Sequence, residues 1–420
     1  VADTQPALDR LRAWFADACD WPDAVLPDYE GGSVANVAPS IVRAFTMSSD
    51  APMPALLPPL RPALLDPAHL AGARVIVLLV IDGYGAVARG RRLRSPAGPA
   101  PVAAGTMTSV FPSTTAAALT SMQTGAAAGQ HGMAAYTLYV PGLRRVVNMV
   151  RFTAVDGAPL DTTALVSPAF LATPSIFDTL AALDVDAVIV SHRDYARSPL
   201  TTVQSGTTAY HGHRTLAELA TLLLGAVARP GRRFVFGYWA GFDMLAHTWG
   251  PSSATCAIEA ELVDLTLHEH VLNPLAARGD EVAVIVTADH GLMDIPPVLA
   301  MPQTSLHDVA GPWTRPATGE RRALGLSLRD SAARGRLSRH IGDRGVVLDA
   351  REAIAAGLYG PQPRVPDLSE RVGDTLVLAR GGASFPYRPL GTEGDPGRGA
   401  HGSLTAEEML VPLHVWRFGG

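Results

Sequence analysis

The sequence predicts an α/β fold, a mainly parallel sheet covered by helices on both faces, with a small α+β insertion. Three observations predict it. Continuous apolar runs rich in β-branched residues recur at 74–81, 186–191, 232–239 and 281–287, as strands buried on both faces of a parallel sheet do. Helical stretches separate them at 174–184, 214–228 and about 253–275, the alternation expected of crossover units. The runs open into polar turns carrying Asp or His, and in open α/β sheets sites gather beyond the carboxyl ends of strands.

Residues 6–18 read as an amphipathic helix, and 53–65 as a proline-rich wrapping loop. The 74–81 strand ends at Asp82-Gly83-Tyr84-Gly85. A hydroxyl-rich turn then leads into the apolar helix that starts near Thr115, with Ser113 or Thr114 placed to cap it. A helix start presents free N–H groups and the positive end of the dipole, which favour a phosphate. Thr115 is therefore a candidate nucleophile. Residues 137–152 look like a hairpin or edge strands.

The 232–239 strand opens into Asp243 and His247, and the 281–287 strand into Asp289 and His290. From 295 to 398 short mixed elements predict the insertion, which divides a core of 1–294 and 399–420. The chain returns through His401 in a glycine-rich turn and ends in a last strand.

The bulk numbers bound the function. A chain of 420 residues, 47% of them hydrophobic, can bury a large core in one domain with an insertion, or in two. Its net charge of −5 advertises neither nucleic acid nor an anionic membrane as partner. All 34 basic residues are Arg, from which no function follows. Cys19 and Cys256 are too few for a disulfide scaffold and lack zinc-site spacing, so a bound metal must use His and carboxylates. No run approaches the roughly 20 apolar residues of a membrane span. The first residues form no basic region followed by an apolar one. A cytoplasmic protein acting on a small molecule is expected.

Asp82, Asp243, His247, Asp289, His290 and His401 thus sit at strand exits or in tight glycine turns. Singly, an Asp and a His four apart, or an Asp-His-Gly turn, is commonplace; their joint placement points to a metal centre, and the donor set suits zinc, with manganese or iron as alternatives. His131 is expected to make structural hydrogen bonds. His211, His213, His268 and His270 are expected on the surface or at caps, and His192 and Arg193 follow a strand.

These residues resemble the alkaline phosphatase superfamily, and within it the type I phosphodiesterase/nucleotide pyrophosphatase family, over roughly 74–415. The resemblance rests on Asp82-Gly83, on Pro112 to Thr115 followed by Thr124-Gly125, on Asp243 with His247, on Asp289-His290-Gly291, and on Gly399 to Gly402. It implies an alkaline-phosphatase-like sheet and Thr115 as nucleophile of a phosphodiesterase or nucleotide pyrophosphatase. It also implies two divalent ions, zinc first and manganese as the alternative. One would be held by Asp243, His247 and His401, the other by Asp82, Asp289, His290 and Thr115. Two departures concern specificity. Ala116, Ala117 and Ala118 follow Thr115 where the family has Phe-Pro-Asn, and Tyr136 stands where it places a phosphate-contacting Asn. A phosphomonoesterase or phosphomutase of the same superfamily is the nearest alternative; an inactive metal-binding interaction protein is the alternative from another class.

Overall fold

The protein is described by a computed structural model covering residues 6–46, 57–87, 98–162, 165, 170–330, 332–386 and 397–419. The first part of the predicted proline-rich loop, up to residue 56, lies outside the described residues, as does 387–396 within the predicted insertion.

The main sheet has seven strands in the order Ala103–Thr108, Leu410–Phe418, Val282–Thr287, Val75–Ile81, Arg233–Trp239, Asp186–His192, Ala209–His213. From Val282–Thr287 to Ala209–His213 every neighbouring pair is parallel. Leu410–Phe418 runs antiparallel to both of its neighbours. The central strands Val75–Ile81 and Val282–Thr287 are buried at every position. Their continuous aliphatic runs bury both faces, each such side chain contributing about 1.5–3 kcal/mol relative to exposure. Two outer strands, Ala103–Thr108 and Ala209–His213, were not expected; AAGTMT and AYHGH lack the β-branched pattern.

The helix predicted over 253–275 is three pieces: Ala254–Leu267, a π-helical turn His268–Leu272, and Asn273–Arg278 with Pro274 in its first turn. Proline has no N–H and crowds the carbonyl four residues back, and the wider turn accommodates it. Among the described residues no helix is long and apolar enough to cross a membrane.

A second sheet also has seven strands, in the order Gly345–Asp349, Thr375–Ala379, Ala323–Leu326, Thr318–Glu320, Thr137–Val140, Arg145–Asn148, Thr153–Ala154. All its pairings are antiparallel. The 295–398 segment therefore shares its sheet with the 137–154 hairpin. The two join where Gly319 pairs with Thr137, whose hydroxyl also donates to the Gly319 carbonyl at 2.8 Å. Gly319 has φ +84°, and a Cβ there would lie 2.0 Å from the Ala323 carbonyl oxygen, so only glycine fits this turn. Leu306, Trp313, Leu337, Ile341 and Phe385 form a small core of their own on this sheet.

Candidate metal centre and active site

The site lies at the carboxyl ends of the central strands. Asp82 directly follows Val75–Ile81, its N–H donating to the Trp239 carbonyl at 2.9 Å. Asp289 and His290 follow Val282–Thr287. Asp243 and His247 lie one turn apart on the helix Gly241–Trp249, which begins where Arg233–Trp239 ends. His401 sits in the turn before Leu410–Phe418.

Thr115 opens the helix Thr115–Thr124 with Thr114, one of the two expected residues, at the cap position. Thr114 occupies the cap position without a side-chain hydrogen bond, leaving the first amides to other partners. The Ser113 hydroxyl instead donates to the Ser403 carbonyl at 2.8 Å and accepts from Gly402 N–H at 3.1 Å, tying the Thr115 turn to the His401 turn.

Six of the candidate residues gather into two groups, Asp243 with His247 and His401, and Asp82 with Asp289 and His290; within each, ligand atoms lie within 4.8 Å of one another. The backbone orients every imidazole. Nδ1 of His247 faces the Gly399 carbonyl at 2.9 Å, that of His290 the Gly291 carbonyl at 3.1 Å, and that of His401 the Ser113 carbonyl at 2.9 Å. A carbonyl only accepts, so each Nδ1 carries a proton, and in the neutral ring Nε2 then presents a lone pair. Those of His247 and His401 face each other at 3.1 Å. Two bare lone pairs at that distance repel unless a cation lies between them.

The carboxylates repeat the pattern. Asp289 Oδ1 accepts from Gly83 N–H at 3.1 Å and His290 N–H at 3.0 Å, while its buried Oδ2 has no hydrogen-bond partner. Asp82 Oδ2 accepts from the Tyr238 hydroxyl, and its buried Oδ1 is likewise without a partner, as is Asp243 Oδ1. Buried polar atoms left without partners are costly. Each of these oxygens has an imidazole Nε2 nearby: His290 Nε2 lies 3.4 Å from Asp289 Oδ2 and 3.6 Å from Asp82 Oδ1, and His401 Nε2 is 3.9 Å from Asp243 Oδ1. Carboxylate oxygens and imidazole lone pairs converging on two points is the donor set of a divalent cation.

Electrostatics agree. Burial, then the charges of Asp243 and Asp289, raise the Asp82 carboxyl well above its ordinary range. Burial, then His290 and His247, hold His401 well below that of a free imidazole. Thr115 Oγ1 lies 3.1 Å from His290 Nε2, at the edge of the second group.

A cleft of about 1510 Å³ opens over these residues, with Asp82, Thr115, Asp243, His247 and His401 in its lining. Tyr136, Glu320 and Arg321 contribute from the second sheet and its approach, and Phe152, Tyr195 and Leu200 from further along. Tyr238, Glu320 and Arg321 were not anticipated. A tyrosine near the carboxyl end of an otherwise apolar central strand was a usable signal; Glu320 had none. Arg193 and His192 are not among the lining residues, and Arg193 lies 4.0 Å from Asp194. His131 is buried in structural bonds to the Ser121 hydroxyl at 2.9 Å and Met133 N–H at 3.1 Å. His213 and His268, expected on the surface, are buried. His213 bonds the Tyr238 carbonyl at 2.9 Å, and His268 lies 3.5 Å from Asp264.

Comparison with known proteins extends these findings. The family model of type I phosphodiesterase / nucleotide pyrophosphatase matches residues 101–404. No curated protein matches the sequence. Among solved structures, murine ectonucleotide pyrophosphatase/phosphodiesterase 5 superposes with a TM-score of 0.59 at 16% identity, over 80% of this chain and 87% of that one. Its inactive threonine-to-alanine variant in complex with AMP gives 0.60 at 16%, over the same 80% and 87%. Phosphonoacetate hydrolase from Sinorhizobium meliloti, in complex with phosphonoformate, gives 0.57 at 19%, over 82% and 90%. At these identities the structural likeness establishes the fold, an alkaline-phosphatase-type α/β architecture.

Proposed function

The chain belongs to the type I phosphodiesterase / nucleotide pyrophosphatase family, and within it we propose a two-metal hydrolase that cleaves phosphodiester or nucleotide pyrophosphate bonds through a phosphothreonine intermediate on Thr115. The observation that carries this reading is the pairing of two complete ligand groups with a hydroxyl at a helix start, 3.1 Å from a histidine of one group. Asp243, His247 and His401 would hold one divalent ion; Asp82, Asp289, His290 and Thr115 would hold the other. Zinc or manganese bound there would supply Lewis-acid charge and lower the pKa of hydroxyls.

The chain's own residues define the rest. Thr115 Oγ1 attacks phosphorus as its proton passes to solvent, and the ester oxygen of the leaving group departs and takes up a proton from water. N–H groups in the first turn of Thr115–Thr124 receive the non-bridging oxygens, where the helix dipole adds to their pull. Water then attacks the phosphothreonine, releasing a monoester and restoring the hydroxyl. The inactivity of the murine threonine-to-alanine variant, and its complex with AMP, support a threonine nucleophile and a nucleotide-like small-molecule substrate.

A phosphomonoesterase or phosphomutase reading has one observation in its favour, the presence of Arg151 and Arg321 in the cleft lining. The test is turnover of chromogenic phosphate esters by chelator-stripped protein with zinc or manganese returned. Restored diester hydrolysis is expected. No turnover with either ion, in protein that has bound it, would refute the proposal.

A further inference from the structure

Three consecutive residues at one turn of the second sheet grip the loop that carries His401. Glu320 ends the strand Thr318–Glu320, and the next strand begins at Ala323. Glu320 Oε2 lies 3.3 Å from His401 Nδ1, in a side chain only 11% exposed. Arg321 donates to the Gly399 carbonyl, the same oxygen that receives His247 Nδ1. Arg322 is fully buried and forms a two-point pair with Glu408 at 2.6 and 2.7 Å. Glu408 in turn accepts from Ser403 N–H at 2.9 Å and the Thr405 hydroxyl at 2.6 Å.

The loop is shaped to let Glu320 in. Gly402 has φ +125°, and a Cβ there would lie 2.7 Å from Glu320 Cγ and 2.8 Å from its Cδ. The backbone thus leaves room for a carboxylate beside a histidine, although the Ser113 carbonyl at 2.9 Å already accepts from that Nδ1.

We propose that Glu320 is a positioning residue for the ion held by Asp243, His247 and His401, so that the second sheet sets the affinity of that site. The Glu320 carboxyl oxygen, 3.3 Å from Nδ1 and alongside the Ser113 carbonyl, holds the ring with Nε2 toward the ion. Loss of such partners typically weakens metal binding about 10- to 100-fold. Arg321, on the carbonyl that orients His247, fastens the second imidazole of the same group to the same turn. The other group, Asp82 with Asp289 and His290, receives neither contact. This inference rests on the two-ion reading above.

The test is zinc titration of the full chain against a chromophoric chelator, for the wild type, Glu320→Gln and Glu320→Ala. Two sites are expected in the wild type, and in each variant one site about 10- to 100-fold weaker with the other unchanged. Diester turnover of Glu320→Gln should fall at limiting zinc and return in excess zinc, which a merely structural defect would not do. Should Glu320→Ala fail to fold, the isosteric Gln variant carries the test. Two sites of wild-type affinity in Glu320→Gln, or equal weakening of both with a lower melting temperature in chelator, would overturn the proposal. A wild type that binds no zinc would instead overturn the two-ion reading.

Discussion

The imidazole rings of His290 and His401 stack, their centroids 3.8 Å apart and their planes 20° from parallel. One ring belongs to each ligand group, so the groups share a wall, whereas His247 touches only its own. His247→Ala is therefore expected to empty mainly one metal position and Asp82→Ala mainly the other, each losing a direct ligand. His401→Ala should weaken both, because it also uncovers the face of His290. Elemental analysis of the three variants checks this; equal loss from His247→Ala and Asp82→Ala would remove the basis for two separate sites.

Much of this arrangement was legible because its physics is local. Val75–Ile81 and Val282–Thr287 announce themselves as doubly buried strands, and Asp82 and Asp289 stand directly at their ends. The rest depends on distant pairing. Thr137 and Gly319, 182 residues apart, join two short stretches into one sheet, and neither stretch carries a strong strand pattern. Glu320 reaches the site only because that sheet forms. Tyr238 carries the one hydroxyl of its buried strand, and the neighbouring strand's Asp82 gives that hydroxyl its role.

Thr115→Ala should abolish turnover while keeping the fold and most metal binding. The hydroxyl contacts His290 and caps nothing, and alanine is at home in a first helical turn. Stability should change by no more than about 1 kcal/mol, and turnover should drop by several orders of magnitude, as when a covalent nucleophile is removed. Single-turnover assays and thermal melts separate the two. Near-normal activity would assign the attack to Thr114 or to water.

Burial lowers His131, which is outside the cleft lining, to about 3. Between that value and the roughly 6.5 of an unfolded histidine, the unfolded chain binds a proton that the native state refuses. The neutral ring's contribution to stability is full above about pH 6.5 and is lost as pH falls toward 3, with a slope of about 1.4 kcal/mol per pH unit for one proton. Urea unfolding from pH 7 to 4 should show this slope, and His131→Gln should flatten it. An unchanged slope in that variant would move the acid sensitivity to other groups.

The buried pair of Arg322 and Glu408 predicts a large stability effect away from the reacting atoms. Removing the guanidinium leaves Glu408 a buried charge with only the Ser403 and Thr405 donors. Breaking such a pair typically costs about 3–5 kcal/mol, whatever the intact pair contributes net. Chemical denaturation of Arg322→Ala should show that loss, and a change under 1 kcal/mol would mean that the site relaxes and admits water.

Substrate choice turns on charge in the cleft. A monoester presents a dianionic phosphoryl group, and sites that prefer it add fixed positive charge beyond their metals. The chain has no Lys, and Arg193, which follows the strand Asp186–His192, is not in the cleft lining. Arg151 and Arg321 are. Arg321 is turned onto the Gly399 carbonyl, where it holds the His401 loop. Ala116, Ala117 and Ala118 are buried away from the cleft, to which this helix shows Thr115, Leu119 and Gln123. The cleft of about 1510 Å³ runs on past Phe152 and Leu200, with room for a second ester substituent. Diesters should therefore be preferred, measured as kcat/KM for bis(p-nitrophenyl) phosphate against p-nitrophenyl phosphate at saturating zinc. In Arg321→Ala the ratio should stay on the diester side, since that guanidinium serves the loop and not the phosphoryl group. A clear monoester preference in the wild type, reversed in Arg321→Ala, would make Arg321 the missing charge and place the chain's activity with the phosphomonoesterases or mutases.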